Sequence, residues 1–381
     1  MEKNNLTILL IHPEISRTKY KFVGVIENEC LELEYISTIL KENGHKVYLY
    51  DGQVEQQTVE DKIRKCNPNI VYVCGRTRQE NFMLEYCETA KKINKNTITI
   101  IGGLHAQLCY ERMYKAYIDY ILITFDIYKI LDIIDYNFYD KKINLKDIDG
   151  ICFQENDVWI KNKQVAFDIK KLPLPDRSYF YAHPKNYRYL ELEHSAWVRT
   201  AYCCPYDCKF CHRNKMNLGK YVCRDIQDVV EEIEKIESDN IYIVDDDFLL
   251  NKNRLNEFIR LIKEKNINKK YICYGRSDFI AENKELMKEL KEIGLYYVLV
   301  GLEAIDDNKL NNYNKKSNIY NNIKCIEICN ELNINIMGMF IVDFDYTPTD
   351  FKKLYKWIKN HSLKHIAISI FTPEMKTETY D

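Results

Sequence analysis

Thr200-Ala201-Tyr202-Cys203-Cys204-Pro205-Tyr206-Asp207-Cys208-Lys209-Phe210-Cys211-His212 is the stretch from which the rest of the chain can be read. It follows directly on Ala196 to Thr200, a short apolar run of strand length. Three residues separate Cys204 from Cys208, and two separate Cys208 from Cys211. With 14 cysteines in 381 residues, chance produces such a triple about 0.02 times. Closely spaced thiolates on one loop can reach several irons of one iron-sulfur cube. Three ligands leave the fourth iron open. An electron-transfer centre fills all four sites, whereas a catalytic one keeps a position for a small molecule, so the count points to a redox-dependent enzyme. A zinc site built on Cys208, Cys211 and a distant pair is the alternative, and would make the chain a zinc-stabilised, non-enzymatic binding module. Cys325 and Cys329 are four apart within a helical pattern and form a poor zinc hook. Cys203 offers a further thiolate beside Cys204.

Downstream of the loop, strand candidates recur at Ile241 to Val244, Tyr271 to Tyr274, Tyr297 to Val300, Ile336 to Val342 and His365 to Phe371. Helical patterns lie between them, at Ile226 to Ile236, Asn253 to Lys265, Lys284 to Ile293, Ile319 to Leu332 and Pro348 to Lys359. Six strand-helix repeats predict a partial (β/α)6 barrel over residues 195–381, with ligands at the carboxyl ends of its strands.

Upstream, residues 1–135 also alternate apolar runs with helical patterns. Strands are predicted at Leu6 to Ile11, Lys46 to Tyr50, Asn69 to Cys74, Thr97 to Ile101 and Tyr120 to Thr124. That order predicts a doubly wound, Rossmann-like α/β domain of five parallel strands. Between the two lies a stretch, 136–194, with Pro173, Pro175 and Pro184 and no long helical period; it reads as a linker holding a small hairpin, Ile151 to Gln154 with Val158 to Ile160.

A formal charge of -2 gives no basic field for a nucleic-acid partner. The most apolar stretch, Tyr117 to Ile134, is broken by Asp119, Asp126 and Asp132, which argues against a membrane span. Leu6 to Ile11 is too short for a signal-peptide core, so a cytoplasmic protein is expected. In that compartment the ten cysteines without a ligand pattern, Cys30 among them, read as small buried apolar residues.

The Cys204–Cys211 loop resembles the cluster-binding signature of radical S-adenosylmethionine (SAM) enzymes, including an aromatic residue, Phe210, before the last cysteine. Leu172-Pro173-Leu174-Pro175-Asp176-Arg177, Asp245-Asp246-Asp247-Phe248, Gly275-Arg276-Ser277-Asp278 and Gly301-Leu302-Glu303-Ala304 look like the subgroup with an N-terminal cobalamin (B12)-binding domain. The resemblance implies a [4Fe-4S] cluster on Cys204, Cys208 and Cys211. It implies SAM contacts from Phe210, Asp246, Arg276 and Glu303, and cleavage of SAM to a 5′-deoxyadenosyl radical. It also implies an electron donor such as flavodoxin or ferredoxin, and a small-molecule or peptide substrate.

Gly102-Gly103-Leu104-His105 looks like the glycine pair of the cobalamin domains, which implies cobalamin contacts from Gly102, Gly103 and His105. The most direct reading is a cobalamin-dependent methyltransferase acting on an unactivated carbon. A cyclase, dehydrogenase or rearrangement enzyme with a structural first domain is the alternative. The chain departs from the subgroup at Ile121 to Asp126, where glycines and a glutamate are usual, and at Asp343 to Pro348, where a glycine-proline turn is usual. It also lacks the Asp-x-His-x-x-Gly signature, and it stops soon after the sixth strand, so substrate-closing elements are expected to be altered or supplied elsewhere. His212, Arg213 and Lys215 add a polar and cationic flank to the cysteines, with His212 readable as a fourth ligand, a proton donor or a polar lid.

Overall fold

The computed structural model describes residues 5–17, 26–139 and 143–380; Met1 to Asn4, at the start of the predicted first domain, lie outside them. The chain divides into two compact units, Met1–Glu193 and His194–Asp381. No helix among the described residues is long and apolar enough to cross a membrane.

In the first unit, Thr7–His12, Lys46–Asp51, Ile70–Cys74, Ile98–Gly102 and Tyr120–Leu122 pair in parallel, with Lys46–Asp51 at one edge and Thr7–His12 beside it. The spatial order is therefore 2-1-3-4-5, a doubly wound arrangement. Strands such as Ile70–Cys74 are buried at every position, the pattern of a sheet covered on both faces. One layer packs Ile8, Leu10, Tyr72 and Ile100 beneath Ile36 and Ile133. The opposite layer packs Leu9, Ile11, Val71 and Ile101 against Met83, Tyr86 and Ala106.

The hairpin Ile151–Glu155 and Val158–Lys161 continues this sheet antiparallel, through Tyr120 opposite Phe153. Residues 136–193 thus belong to the first compact unit. The pairing follows from composition: Ile151, Cys152 and Phe153 are apolar and fully buried, and a free hairpin would leave them in water.

In the second unit, Ser195–Val198, Asn240–Ile243, Lys270–Gly275, Leu295–Glu303, Asn335–Val342 and His365–Ile370 pair in parallel in chain order. The first and last strands have no pairing with each other among the described residues, so the barrel is partial. Helices Ile226–Lys235, Lys252–Glu264, Lys284–Glu292, Ile319–Glu331 and Pro348–Asn360 supply the crossovers. Several begin on side-chain caps, including Asn251, Asn318 and the Thr347–Asp350 capping box. The sequence places the helix cores correctly. Leu295–Glu303 runs three residues further than expected, because its register shifts between Gly301 and Glu303 and the strand then continues.

Candidate active site

The cysteine loop leaves the first barrel strand through a backbone that only a few residues adopt readily, since Cys203 has φ +72°. That kink turns Cys203 away. Its thiol is buried and donates to the Cys204 carbonyl, at 3.7 Å. Cys204 and Cys211 are half-buried and Cys208 is buried, and all three are free thiols. Burial pushes the Cys204 thiol up to about 12, and Asp247, Asp246 and Cys211 raise it further. Burial pushes Cys211 up to about 11, with Cys208 and Asp246 adding to it while Arg213 pulls the other way. Two clustered thiols, Cys204 and Cys211, that resist ionisation call for a cationic centre to hold them as thiolates.

Among the described residues, only His12, Cys30 and Asp51 bring three donor atoms within 4.8 Å of one another. The loop cysteines lie close enough to feel one another electrostatically without converging that tightly.

Residues far along the chain hold the loop in place. Tyr206 lies under the Arg276 guanidinium, 3.7 Å from the ring centroid to the guanidinium carbon. Phe210 meets Tyr313 edge-on at 5.3 Å, and Tyr313 stacks on Phe371 at 6.2 Å. The Lys209 amide donates to the Tyr313 carbonyl at 3.0 Å, and the Asn314 side-chain amide donates to the Asp207 carbonyl at 3.1 Å. The segment 313–316 is therefore a second wall of the site, and no sequence signal announced it.

The aspartate run separates into three roles. Asp245 is buried and accepts from the Thr200 and Ala201 amides at 2.7 and 2.9 Å and from the Thr200 hydroxyl, so it clamps the loop's first residues to the second strand. Asp246 pairs with Arg213 at 3.2 Å. Asp247 is 4% exposed, and neither carboxylate oxygen has a hydrogen-bond partner among the described residues. Burial pushes its carboxyl up to about 8, against the pull of Arg276 and Lys315.

Arg276 is also buried, and its guanidinium donates to Asp278 and, at 2.6 Å, to the Lys315 carbonyl. Glu303 sits at φ +61°, in the left-handed region, and pairs with Lys315 at 2.8 Å. Both side chains are about one-tenth exposed. Although burial pulls Lys315 down, Glu303 and Cys208 hold its ammonium above the ordinary lysine value. His212 is engaged through Nδ1 by Glu374, which makes it a tether to the chain's last turn. The structure thus brings Phe210, Asp246, Arg276 and Glu303 around the cysteines, and adds Asp247, Tyr313 and Lys315.

In the first unit, Gly102 and Gly103 end the fourth parallel strand. A Cβ on Gly102 would stand 1.9 Å from the Tyr72 hydroxyl, and one on Gly103, at φ +87°, would stand 2.5 Å from the Cys74 sulfur. Close packing on the neighbouring strand therefore demands both glycines. His105 is fully buried with Nε2 2.6 Å from Glu80, which also holds Arg112, while its Nδ1 has no partner among the described residues. An orphaned ring nitrogen beside the strand ends is compatible with a large polar cofactor there. Arg76 and Arg78 are exposed.

Residues 198–358 match the family described as Radical SAM superfamily, and residues 27–126 match the B12 binding domain. The hopanoid C-3 methylase of Methylococcus capsulatus is 24% identical over 98% of this chain and 72% of its own. The anaerobic magnesium-protoporphyrin IX monomethyl ester cyclase of Cereibacter sphaeroides is 25% identical over 82% of this chain and 53% of its own. Among solved structures, the cobalamin-dependent SAM radical enzyme OxsB superposes with a TM-score of 0.78 at 18% identity, over 96% of this chain. The radical SAM methyltransferase TsrM from Kitasatospora setae superposes at 0.75 and 14%, over 96% of this chain. The chain spans about half the length of OxsB and 72% of TsrM.

Proposed function

We infer that this chain, a member of the radical SAM superfamily with a B12-binding domain ahead of its barrel, is a cobalamin-dependent methyltransferase acting on an unactivated carbon. The observation that carries this reading is the joint presence of a three-cysteine loop at the barrel mouth and a doubly wound unit matched over residues 27–126 to B12 binding. Cys204, Cys208 and Cys211 would hold the [4Fe-4S] cluster, and the turn from Gly102 to His105 would lie against cobalamin. When bound, the cluster supplies the electron that cleaves SAM to a 5′-deoxyadenosyl radical, and cobalamin supplies the route for the methyl group.

The chain's own residues bind, orient and shield. SAM carries an ammonium and a sulfonium, and the buried Asp247 carboxyl beside the cysteines, without a hydrogen-bond partner among the described residues, would give up its proton to face that positive charge. Arg276 and Lys315 are cations matched to a carboxylate, although each already has an acidic partner in Asp278 and Glu303. Asp246, paired with Arg213, is better placed to hold the loop than to bind the ammonium. Phe210 packs on Tyr313 and fixes the last cysteine's approach.

A cyclase reading is favoured by the likeness to the protoporphyrin ester cyclase. Anaerobic reconstitution with iron and sulfide counts, followed by assay with methyl-labelled SAM, separates the two. The methyltransferase reading expects 5′-deoxyadenosine, retention of added cobalamin and label in a product. 5′-Deoxyadenosine without cobalamin retention or label transfer would leave the cyclase class.

A further inference from the structure

At the carboxyl ends of the first unit's two leading strands, outside the barrel site, His12, Cys30 and Asp51 bring three different donor atoms together. His12 Nδ1 lies 3.2 Å from Asp51 Oδ1 and 3.2 Å from the Cys30 sulfur, and that sulfur lies 3.2 Å from Asp51 Oδ2. Asp51 is fully buried, Cys30 is 7% exposed and the His12 side chain 17%. Cys30 stands at the N-cap of the helix Leu31–Glu42 but makes no side-chain cap bond; its thiol turns toward the carboxylate. We propose that His12, Cys30 and Asp51 form a binding site for a divalent cation of the zinc class.

Protons alone satisfy this triangle poorly. The imidazole Nδ1 has one hydrogen or one lone pair, yet Asp51, Cys30 and the Gln53 side-chain nitrogen all stand 3.2 Å from it. If the ring hydrogen and the thiol hydrogen both go to Asp51, the nitrogen-sulfur edge is left without a hydrogen, and an amide donor faces a ring donor. A cation satisfies all three edges together. Zinc bonds of about 2.0–2.3 Å in tetrahedral geometry set ligand-ligand edges of roughly 3.3–3.6 Å, so the ligands need retreat by only a few tenths of an ångström.

The surroundings supply an outer shell. The Tyr187 hydroxyl donates to Asp51 Oδ2 at 3.0 Å, and the Gln53 amide N–H donates to Oδ1 at 3.0 Å, which orients the carboxylate. Two contacts oppose the site: the Gln53 side-chain nitrogen, 3.2 Å from Nδ1, loses its acceptor once that nitrogen holds a cation, and Gln79 faces the other ring nitrogen. Gln79 is oriented by its bond from the Arg76 amide and its own bond to the Pro13 carbonyl, and its side-chain nitrogen faces His12 Nε2 at 3.2 Å. Metal on Nδ1 places the ring hydrogen on Nε2, so binding requires the Gln79 amide to turn. Gln79→Glu, which presents only acceptors there, should tighten the site.

The test uses the full chain reconstituted with iron and sulfide and then given Zn(II) alone, with iron and zinc counted separately by mass spectrometry. The expected result is one zinc per chain beyond the iron, lost by at least ten-fold in both His12→Gln and Cys30→Ser, and bound several-fold more tightly in Gln79→Glu. Absence of iron would count against the cluster reading alone. Since a substitution can unfold the unit, alkylation of Cys30 in the unsubstituted chain gives a second measurement, and Zn(II) should slow it. Zinc uptake unchanged by both ligand substitutions, or Cys30 alkylation indifferent to Zn(II), overturns the site.

Discussion

The Arg276 guanidinium carbon lies 3.7 Å from the centroid of the Tyr206 ring, so the turn after the third barrel strand rests directly on the cysteine loop. Arg276 also bonds Asp278 and the Lys315 carbonyl, and its plane is fixed from three sides. Lysine at this position keeps the charge but loses the planar fork and the stacking. Arg276→Lys should loosen the loop by about 1–2 kcal/mol, the scale of a desolvated cation–π contact. Iron release to a chelator from the reconstituted protein should then run roughly ten-fold faster. Unchanged release would mean that the stack does not order the loop.

Asp247 makes stability depend on pH in a stated direction. Its carboxyl ionises near the ordinary 3.8 when unfolded and at about 8 when folded, because burial disfavours the charge. Between about pH 4 and 8 the folded chain retains a proton that the unfolded chain releases, so this group's contribution to stability falls as pH rises and levels off above 8. The slope from a single group is at most about 1.4 kcal/mol per pH unit. Denaturant titrations of the cluster-free chain across this range should show the decline in the native sequence and a flatter profile in Asp247→Asn. In the reconstituted protein Asp247→Asn should also weaken equilibrium SAM binding by ten-fold or more, whereas Asp246→Asn should act mainly on cluster retention.

The buried pair of Lys315 and Glu303 should punish one-sided removal. Lys315→Met leaves the Glu303 carboxylate in a strained left-handed position with its cation gone, a loss of about 3–5 kcal/mol by the usual cost of an uncompensated buried charge. The double variant Lys315→Met with Glu303→Gln should recover part of that loss. Chemical denaturation of the two variants beside the native chain reads the difference, and equal stability of both would show that the pair is solvated.

What could be read without coordinates follows from where the information lies. The cysteine loop is legible because its three cysteines lie within eight positions of one another, and a strand such as Ile70–Cys74 is legible because a sheet covered on both faces needs apolar residues at every position. The wall formed by Tyr313 and Lys315 was not legible, since it reaches the loop from about a hundred residues away through a backbone bond from Lys209 to Tyr313 that any sequence could make and a single side-chain bond from Asn314 to the Asp207 carbonyl. Asp245, Asp246 and Asp247 are identical letters in a row, and only burial and partners separate a clamp, an ion pair and an orphaned carboxyl. Cys30 read as a small buried apolar residue. It is buried, but its thiol faces His12 and Asp51, which lie 18 and 21 positions away at two strand ends. The hairpin at Ile151 was recognised by its turn, while its attachment to Tyr120 is a tertiary choice set by which apolar face finds cover.

Gly103 tests whether the fourth strand's end serves packing, cofactor or both. Its φ of +87° costs any other residue backbone strain, and a Cβ there would come within 2.5 Å of the Cys74 sulfur, far inside contact distance. Gly103→Ala should therefore destabilise the first unit by about 2–4 kcal/mol from strain and overpacking together. Cys74→Ala in the same chain removes the clashing sulfur but not the strain, so it should restore only part of the stability. If the turn also carries cobalamin, Gly103→Ala will lower retention of the added cofactor, and the double variant will recover stability while leaving retention low. Spectrophotometric cobalamin counts after gel filtration, taken beside thermal unfolding, distinguish the two effects. Retention that rises and falls strictly with stability would reduce Gly103 to a packing residue.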